Sequence, residues 1–146
     1  MHPIRIATEK DLARIAEIEV FNYRLNFYPI FKNDGFYFDE LTVPALMQQY
    51  QSRLGSMWVY DDGAVKGFMQ LQNGEIKKLF VEPVLQGGGI GTALLSYAVT
   101  GLQGRTLWAL EKNHRAIRFY ERHGFQKTED RKLEEDTTEY LIRMER

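Results

Sequence analysis

A glycine-rich turn lies between a short apolar segment and an amphipathic helix in the second half of the chain. It runs from Gln86 to Thr92 and contains four glycines, Gly87, Gly88, Gly89 and Gly91. A helix start presents free backbone N–H groups and a partial positive charge, and both attract phosphate. Glycine lets the backbone approach an anion closely, and four glycines cost more chain entropy than a plain turn requires. The segment therefore predicts a strand–turn–helix unit that holds a phosphate-bearing ligand.

Two common phosphate-binding motifs do not fit this turn. A P-loop needs a lysine after its last glycine, whereas Thr92 and Ala93 follow Gly91. The spacing G-x-G-x-x-G fails as well, because its third position would be Thr92 or Leu94. The preceding strand also belongs to a predicted antiparallel meander, whereas the dinucleotide-binding fold places its turn after a parallel strand.

Length and composition predict one globular domain over residues 1–146, with 44% hydrophobic and 27% charged residues. The net charge of -1 provides no basic field for nucleic acid. The absence of cysteine excludes disulfides, thiolate metal ligands and a cysteine nucleophile. No signal peptide is recognisable, and no apolar stretch reaches the roughly 20 residues that span a bilayer. We expect a cytoplasmic protein without nucleic-acid or membrane partners.

The N-terminal part predicts a strand followed by a helix. Residues Pro3–Ala7 suit a short strand, and the segment from Thr8 to Asp11 has the pattern of a capping box, in which the Asp11 side chain reaches back to the helix start. Apolar residues at helical spacing follow and predict an amphipathic first helix: Leu12, Ile15, Ala16, Val20 and Tyr23.

The connection after this helix is rich in aromatic residues: Phe21, Tyr23, Phe27, Tyr28, Phe31, Phe36, Tyr37 and Phe38. Pro29 and the turn Asn33–Gly35 are expected to interrupt any long helix there. A second helix is expected to begin at Asp39 or Thr42 and to end near Arg53.

The rest of the chain alternates strands and helices. Strands are predicted at Met57–Tyr60, Ala64–Leu71, Ile76–Val81, Thr106–Leu110, Phe125–Thr128 and Thr138–Met144. The first three of these form an antiparallel meander through turns at Asp61–Gly63 and Asn73–Gly74. A third helix begins at the glycine turn, and a fourth is capped by Asn113 and ends at Gly124. The charged segment Glu129–Asp136 is expected to connect the last two strands.

Two of these segments resemble motifs of the GNAT acetyltransferases. Gln86-x-x-Gly89-x-Gly91, after a strand ending Leu-Phe-Val, resembles motif A. Asn113-x-x-Ala116-x-x-Phe119-Tyr120-x-x-x-Gly124-Phe125 resembles motif B, and the predicted order of elements is similar to that of the family. The resemblance implies a single α/β (α+β) domain with a mixed, mostly antiparallel sheet of about seven strands and about four helices. It also implies transfer of the acetyl group from acetyl-CoA to a primary amine by direct attack in a ternary complex.

For the donor, the resemblance implies contacts along the glycine turn and the strand before it. The CoA pyrophosphate would contact Gln86, Gly87, Gly88, Gly89, Ile90, Gly91 and Thr92. The pantetheine arm would lie along Leu79, Phe80 and Val81, with a backbone N–H near Val81 polarising the thioester carbonyl. Asn113 would contact the CoA arm.

For the chemistry, the resemblance implies that Tyr120 donates a proton to the departing thiolate; a tyrosine that only packs inward is the alternative. Glu75, four residues before Leu79, resembles the base of histone-type members. Alternation along a strand would place Glu75 on the same face as Leu79 and Val81. Glu75 also follows a hairpin turn, where an exposed glutamate is usual, and water or backbone carbonyls could deprotonate the amine instead.

The acceptor is expected between residues 21–39 and 129–136, as in the family. Aromatic rings together with Asp34, Asp39 and Glu40 suit a cationic amine, from either a small molecule or a peptide. The same rings could instead cover the sheet edge or form a contact in a homodimer, so both a monomer and a homodimer stay open.

The sequence disfavours a metal site and a purely binding role. His2, His114 and His123 do not cluster with one another or with carboxylates, so we expect no metal site. A non-catalytic module that binds acyl-CoA would keep the glycine turn, but the presence of both Tyr120 and Asn113 favours an enzyme.

Overall fold

A seven-stranded sheet organises residues 3–146, the part of the chain that the computed structural model describes. The strands are β1 (Ile4–Ile6), β2 (Met57–Asp61), β3 (Val65–Gln72), β4 (Glu75–Val81), β5 (Thr106–Leu110), β6 (Gln126–Leu133) and β7 (Tyr140–Glu145). Their order across the sheet is β1-β2-β3-β4-β5-β7-β6. Only β4 and β5 run parallel to each other, and the other neighbours are antiparallel. This confirms the predicted mixed, mostly antiparallel sheet.

Five α-helices accompany the sheet within these residues, one more than expected: α1 (Leu12–Asn22), α2 (Tyr28–Phe31), α3 (Val43–Tyr50), α4 (Ile90–Gly101) and α5 (His114–Arg122). Two helix starts follow from local chemistry as predicted. The Asp11 carboxylate accepts a 2.8 Å hydrogen bond from the Thr8 N–H before α1. The Thr42 hydroxyl accepts from the Ala45 N–H, at 3.3 Å, before α3.

The predicted interruption at Pro29 is wrong. After α1 the backbone continues through a wide π-type turn, Tyr23–Phe27, directly into α2. Pro29 lies in the first turn of α2, where its missing N–H needs no partner. The break comes at Lys32, whose φ is 52°, and a second wide turn follows at Gly35–Glu40.

The penultimate strand is longer than predicted. β6 extends to Leu133, so most of the charged segment that was expected to form a loop is strand. β6 lies at the edge of the sheet and pairs only with β7, and most of its residues are exposed. Charged side chains are therefore tolerated along it, and they also discourage pairing with another chain. The remaining connection comprises residues 134–139.

Apolar cores cover both faces of the sheet. One core joins the sheet to α4 and α5 through buried residues such as Leu94, Leu107 and Phe125. The other joins it to α1 and α3 through residues such as Ile15 and Phe68. None of the helices in the described residues is long and apolar enough to cross a membrane.

Candidate active site

The gap between β4 and β5 contains a cavity of about 580 Å³. Within residues 3–146, the two strands pair only through Glu75↔Thr106 and Ile76↔Leu107, and they separate beyond that point. The Glu82 N–H bonds to β3, at 2.9 Å from the Lys66 carbonyl, so by alternation the peptide groups of Leu79 and Val81 face the gap. The open part of β4 is thus a strand edge inside a cavity, where only side chains reach the Val81 carbonyl in the described residues.

The glycine turn forms one end of this cavity. Gly87 and Gly89 have φ values of 87° and 93°, in the left-handed region that favours glycine, and Gly89 is the N-cap of α4. A Cβ added at either glycine would meet no protein atom within 4 Å, so open space adjoins both. The predicted close approach of an anion to the start of α4 is sterically possible.

Most of the predicted site residues line the cavity. They are the general acid Tyr120 and the predicted donor contacts Leu79, Phe80, Val81, Gln86, Gly87, Gly89, Gly91, Thr92 and Asn113. Gly88, Ile90 and Glu75 are absent from its lining in the part of the chain that the structure describes. Ile90 instead packs against the core beneath α4.

Gln86 has a structural partner that the sequence did not reveal. Its amide donates to the Asn22 Oδ1 at 3.0 Å and to the Val81 carbonyl at 3.3 Å. Asn22, only 2% exposed, in turn donates to the same Val81 carbonyl at 2.9 Å. The end of α1 therefore fixes both the last residue of β4 and the start of the glycine turn.

Tyr120 lies on α5 with its ring in contact with Phe119 and Phe125, at centroid distances of 5.3 and 5.9 Å. Burial raises the pKa of Tyr120 to about 12. The phenol therefore stays protonated at neutral pH and is able to donate a proton into the cavity. Asn113 caps the same helix, accepting from the Ala116 N–H at 3.2 Å.

Glu75 does not share a face with Leu79 and Val81, contrary to the prediction. The register steps from Gln70↔Lys78 to Leu71↔Ile76, so β4 carries one extra residue, Lys77, opposite β3. This bulge reverses the alternation, and Glu75 lies on the face of α1 and α3 instead. Its carboxylate is 3.7 Å from the ammonium of Lys77.

The cavity continues through the gap to the face of α1. There it is lined by Tyr23, Asn26, Phe27, Lys78, Trp108, Glu134 and Leu141. Tyr23 stacks on Phe27 at 4.7 Å between ring centroids and meets the edge of Phe80 at 5.4 Å. Tyr23 and Phe27 belong to the predicted acceptor segment 21–39, and Glu134 belongs to 129–136, so both predicted segments reach the cavity.

A buried carboxylate contacts one of these lining residues, Lys78. Glu19, 1% exposed, accepts from the Tyr50 hydroxyl at 2.6 Å and from the Lys78 ammonium at 2.8 Å. Lys78 also donates to the Tyr50 oxygen. Burial and the Glu19 charge raise the pKa of Tyr50 far above its ordinary value. The cavity-facing cation Lys78 is thus already compensated from within the core.

In residues 3–146 the structure contains no group of three or more histidine, aspartate or glutamate side chains that could hold a metal ion. His2 lies outside the described residues.

Comparison with solved structures supports the fold. The apo form of YjaB from Escherichia coli superimposes with a TM-score of 0.75 at 22% identity, covering 97% of this chain and 95% of that one. The PaiA N-acetyltransferase from Thermoplasma acidophilum, in complex with coenzyme A, superimposes with a TM-score of 0.69 at 17% identity and 98% coverage of both chains. At these identities the likeness establishes the fold alone.

Sequence comparison identifies relatives and a family from about half of the chain. The peptidyl-lysine N-acetyltransferase YjaB from Salmonella typhimurium is 36% identical over 74 residues, which are 49% of this chain and 51% of that protein. The chain spans about half, or less, of the length of the curated relatives it matches. The model of the acetyltransferase (GNAT) domain matches residues 53–127, from before β2 into β6. The chain therefore belongs to the GNAT acetyltransferase family.

Proposed function

We propose that the protein transfers the acetyl group of acetyl-CoA to a primary amine, of a small molecule or a peptide, by direct attack in a ternary complex. The observation that carries this proposal is a single cavity that joins the glycine turn, Tyr120 and residues on the face of α1, where we place the acceptor opening. Donor and acceptor could enter from opposite faces of the sheet and meet between β4 and β5. The similarity to a peptidyl-lysine N-acetyltransferase supports an amine acceptor.

The donor end suits the phosphates and the pantetheine arm of CoA. The N–H groups at the start of α4 would bind the pyrophosphate, and the guanidinium groups of Arg115 and Arg122 line the same cavity. The amide groups of the pantetheine arm would bond the open edge of β4 as an added strand. A backbone N–H from Leu79 or Val81 would then stabilise charge on the thioester oxygen during attack.

In the proposed reaction, the neutral amine nitrogen forms a bond to the thioester carbon, and the carbon–sulfur bond breaks. The acceptor ammonium loses one proton before the attack, and the nitrogen loses a second proton once the new bond has formed. The sulfur takes the proton of the Tyr120 hydroxyl, and the second proton from nitrogen restores that hydroxyl through solvent. Glu75 lies outside the cavity lining, so we propose that it takes the first proton through water. The products are the amide and free CoA.

Replacing Gly89 with alanine is expected to weaken acetyl-CoA binding about tenfold or more. The new Cβ would meet no protein atom, but it would project into the space adjoining the helix start, where the phosphate is proposed to lie. Isothermal titration calorimetry with acetyl-CoA measures the change in Kd.

Gly63→Ala is the matched control, because Gly63 also has a positive φ, 121°, and open space around it but lies in the β2–β3 turn. Both variants should lose about 1 kcal/mol of stability from backbone strain. Equal Kd values for the two variants would contradict a phosphate site at Gly89.

Glu75→Gln is expected to lower kcat about tenfold or more at pH 7, because water alone would then accept the amine proton. The effect should shrink at pH values near the amine pKa of about 10, where the free amine is abundant. A pH–rate profile of wild type and variant measures this. If the ratio of wild-type kcat to variant kcat stays close to one at every pH, water or backbone carbonyls accept the proton instead of Glu75.

The alternative function is a non-catalytic acyl-CoA-binding module. It shares the donor site, so calorimetry alone does not separate the two. Binding of acetyl-CoA without turnover across a panel of amines would favour the module, whereas release of free CoA that depends on an amine would favour the enzyme.

A further inference from the structure

Charged side chains are divided unevenly along the cavity. Arg115 and Arg122, both on α5, lie toward the donor end. At the opposite end is Glu134, the sole carboxylate that lines the cavity in the described part of the chain. The arginines match an anionic donor at one end. At the other end Glu134 lines the cavity together with Lys78, whose charge is paired with Glu19, so this end suits a cationic group.

The fold directs Glu134 toward the face of α1. It follows β6, and the 134–139 connection is held by a 2.8 Å bond from the Glu134 N–H to the Glu139 carbonyl. Alternation along β6 puts Glu134 on the same face as Lys132, whose ammonium lies 4.2 Å from the centre of the Trp108 ring. Trp108 lines the cavity, so this face of the hairpin borders the acceptor opening.

Two of the lysines near this opening are paired with carboxylates, whereas neither Lys132 nor Glu134 has an ion pair among residues 3–146; Lys132 contacts the Trp108 ring. Lys78 is compensated by Glu19, and the Lys77 ammonium lies near Glu75. The only side-chain bond of Glu134 is accepted from the neighbouring Glu135 N–H, at 3.1 Å. Glu134 therefore presents a carboxylate without an ion-pair partner in the described residues at the acceptor end.

Aromatic residues face this charge. Burial raises the pKa of Tyr37 to about 12, with a smaller contribution from the negative charge of Glu134. The pKa of Tyr23 is also raised, mainly by burial, then by the charge of Glu19 and then by that of Glu134. Glu134 is thus close to the aromatic segment that follows α1. The Tyr23 and Phe27 rings supply faces that attract a cation.

We propose that Glu134 selects acceptors that carry an aliphatic ammonium group, by pairing with that group beside Tyr23 and Phe27. This inference rests on the proposed function and assigns the acceptor class of the same site. Glu134 is a specificity-determining residue that binds the protonated amine as it enters. Because proton removal and attack come later, loss of Glu134 should raise the acceptor KM more than it lowers kcat.

The test uses cadaverine, a diamine, as the probe, and pentane-1,5-diol as its uncharged counterpart. Calorimetry is performed on the full chain saturated with CoA, for wild type, Glu134→Gln and Glu135→Gln. Loss of a charge-assisted hydrogen bond should weaken cadaverine binding to Glu134→Gln about tenfold or more. Glu135→Gln, the neighbouring exposed residue, should bind cadaverine as wild type does, and the diol should not distinguish the three proteins.

Equal cadaverine affinity of the two variants, or wild type that does not bind cadaverine, would overturn the proposal. Acetyl transfer to cadaverine is measured on the same samples. If only Glu134→Gln loses cadaverine binding and none of the three proteins acetylates it, the ammonium site stands and the proposed catalytic function fails.

Discussion

Replacing Tyr120 with phenylalanine is expected to lower kcat about a hundredfold or more and to leave the acetyl-CoA Kd unchanged. The substitution removes the hydroxyl and keeps the ring, so the contacts with Phe119 and Phe125 persist. The departing thiolate would then lack its proton donor. Steady-state release of free CoA measures kcat, and calorimetry measures Kd.

The pH dependence follows from the direction of the Tyr120 pKa. Burial raises that pKa to about 12, so the protonated, donating form persists to a higher pH than in an exposed tyrosine with a pKa near 10. Wild-type kcat should therefore show no loss due to Tyr120 below about pH 11. A pH–rate profile from pH 7 to 10.5 that falls with an apparent pKa near 10 would contradict this.

Tyr140→Phe is the matched control, because Tyr140 is 40% exposed on β7 and does not line the cavity in residues 3–146. It should keep wild-type kcat. If Tyr120→Phe also keeps wild-type kcat, Tyr120 only packs against its neighbours and is not the general acid.

The geometry of the glycine turn and of the Asn113 cap was predictable because both are local. The strand, the turn and the helix that follow one another from Glu75 to Gly101 are fixed by neighbouring residues. Gly87 and Gly89 adopt positive φ, a conformation that favours glycine, so the presence of glycine at these positions indicates the backbone conformation directly. The Asn113 cap is local in the same way, and its hydrogen bond is confirmed.

The face of Glu75 was not predictable, because the bulge at Lys77 depends on how β3 and β4 pair. Side chains alternate between the two faces of the sheet only while the pairing of β3 and β4 is regular. One extra residue in β4 moves every residue before it to the opposite face. No local residue type marks this position, since Lys77 and Lys78 are both ordinary strand residues in a charged segment.

The partners of the buried polar groups were equally hidden. The helical spacing of α1 places Glu19 on the same face as Ala16 and Tyr23, but no local feature identifies Lys78, 59 residues away in sequence, as its partner. Only the packing of α1 against β4 brings the two together. The helical structure around Pro29 also differs from what local propensity predicts. A wide turn carries the helical backbone from α1 into α2, where propensity predicts a break.

Replacing Lys78 with methionine is expected to lower the free energy of unfolding by about 3–5 kcal/mol at pH 7. The Glu19 carboxylate, 1% exposed, would keep its bond from Tyr50 but lose the ammonium that compensates its charge. Leaving a buried charge without its partner costs more than losing a surface pair. Urea unfolding followed by circular dichroism measures the change.

Lys77→Met is the control for the loss of a lysine on the same strand. The Lys77 side chain is 42% exposed and lies 3.7 Å from Glu75, against 21% exposure and 2.8 Å for Lys78 and Glu19. An exposed pair contributes at most about 1 kcal/mol, so this variant should remain close to wild type.

The double variant Glu19→Met with Lys78→Met distinguishes two causes of the stability lost in Lys78→Met, an unpaired buried carboxylate and the loss of packing contacts. Removing both charges eliminates the unpaired carboxylate, so much of the stability lost in Lys78→Met should return. If the double variant has a lower free energy of unfolding than Lys78→Met, by as much as Glu19→Met alone lowers it in wild type, the two residues are not coupled. In that case the Lys78 side chain would stabilise this wall of the cavity through its hydrocarbon stem and not through its charge.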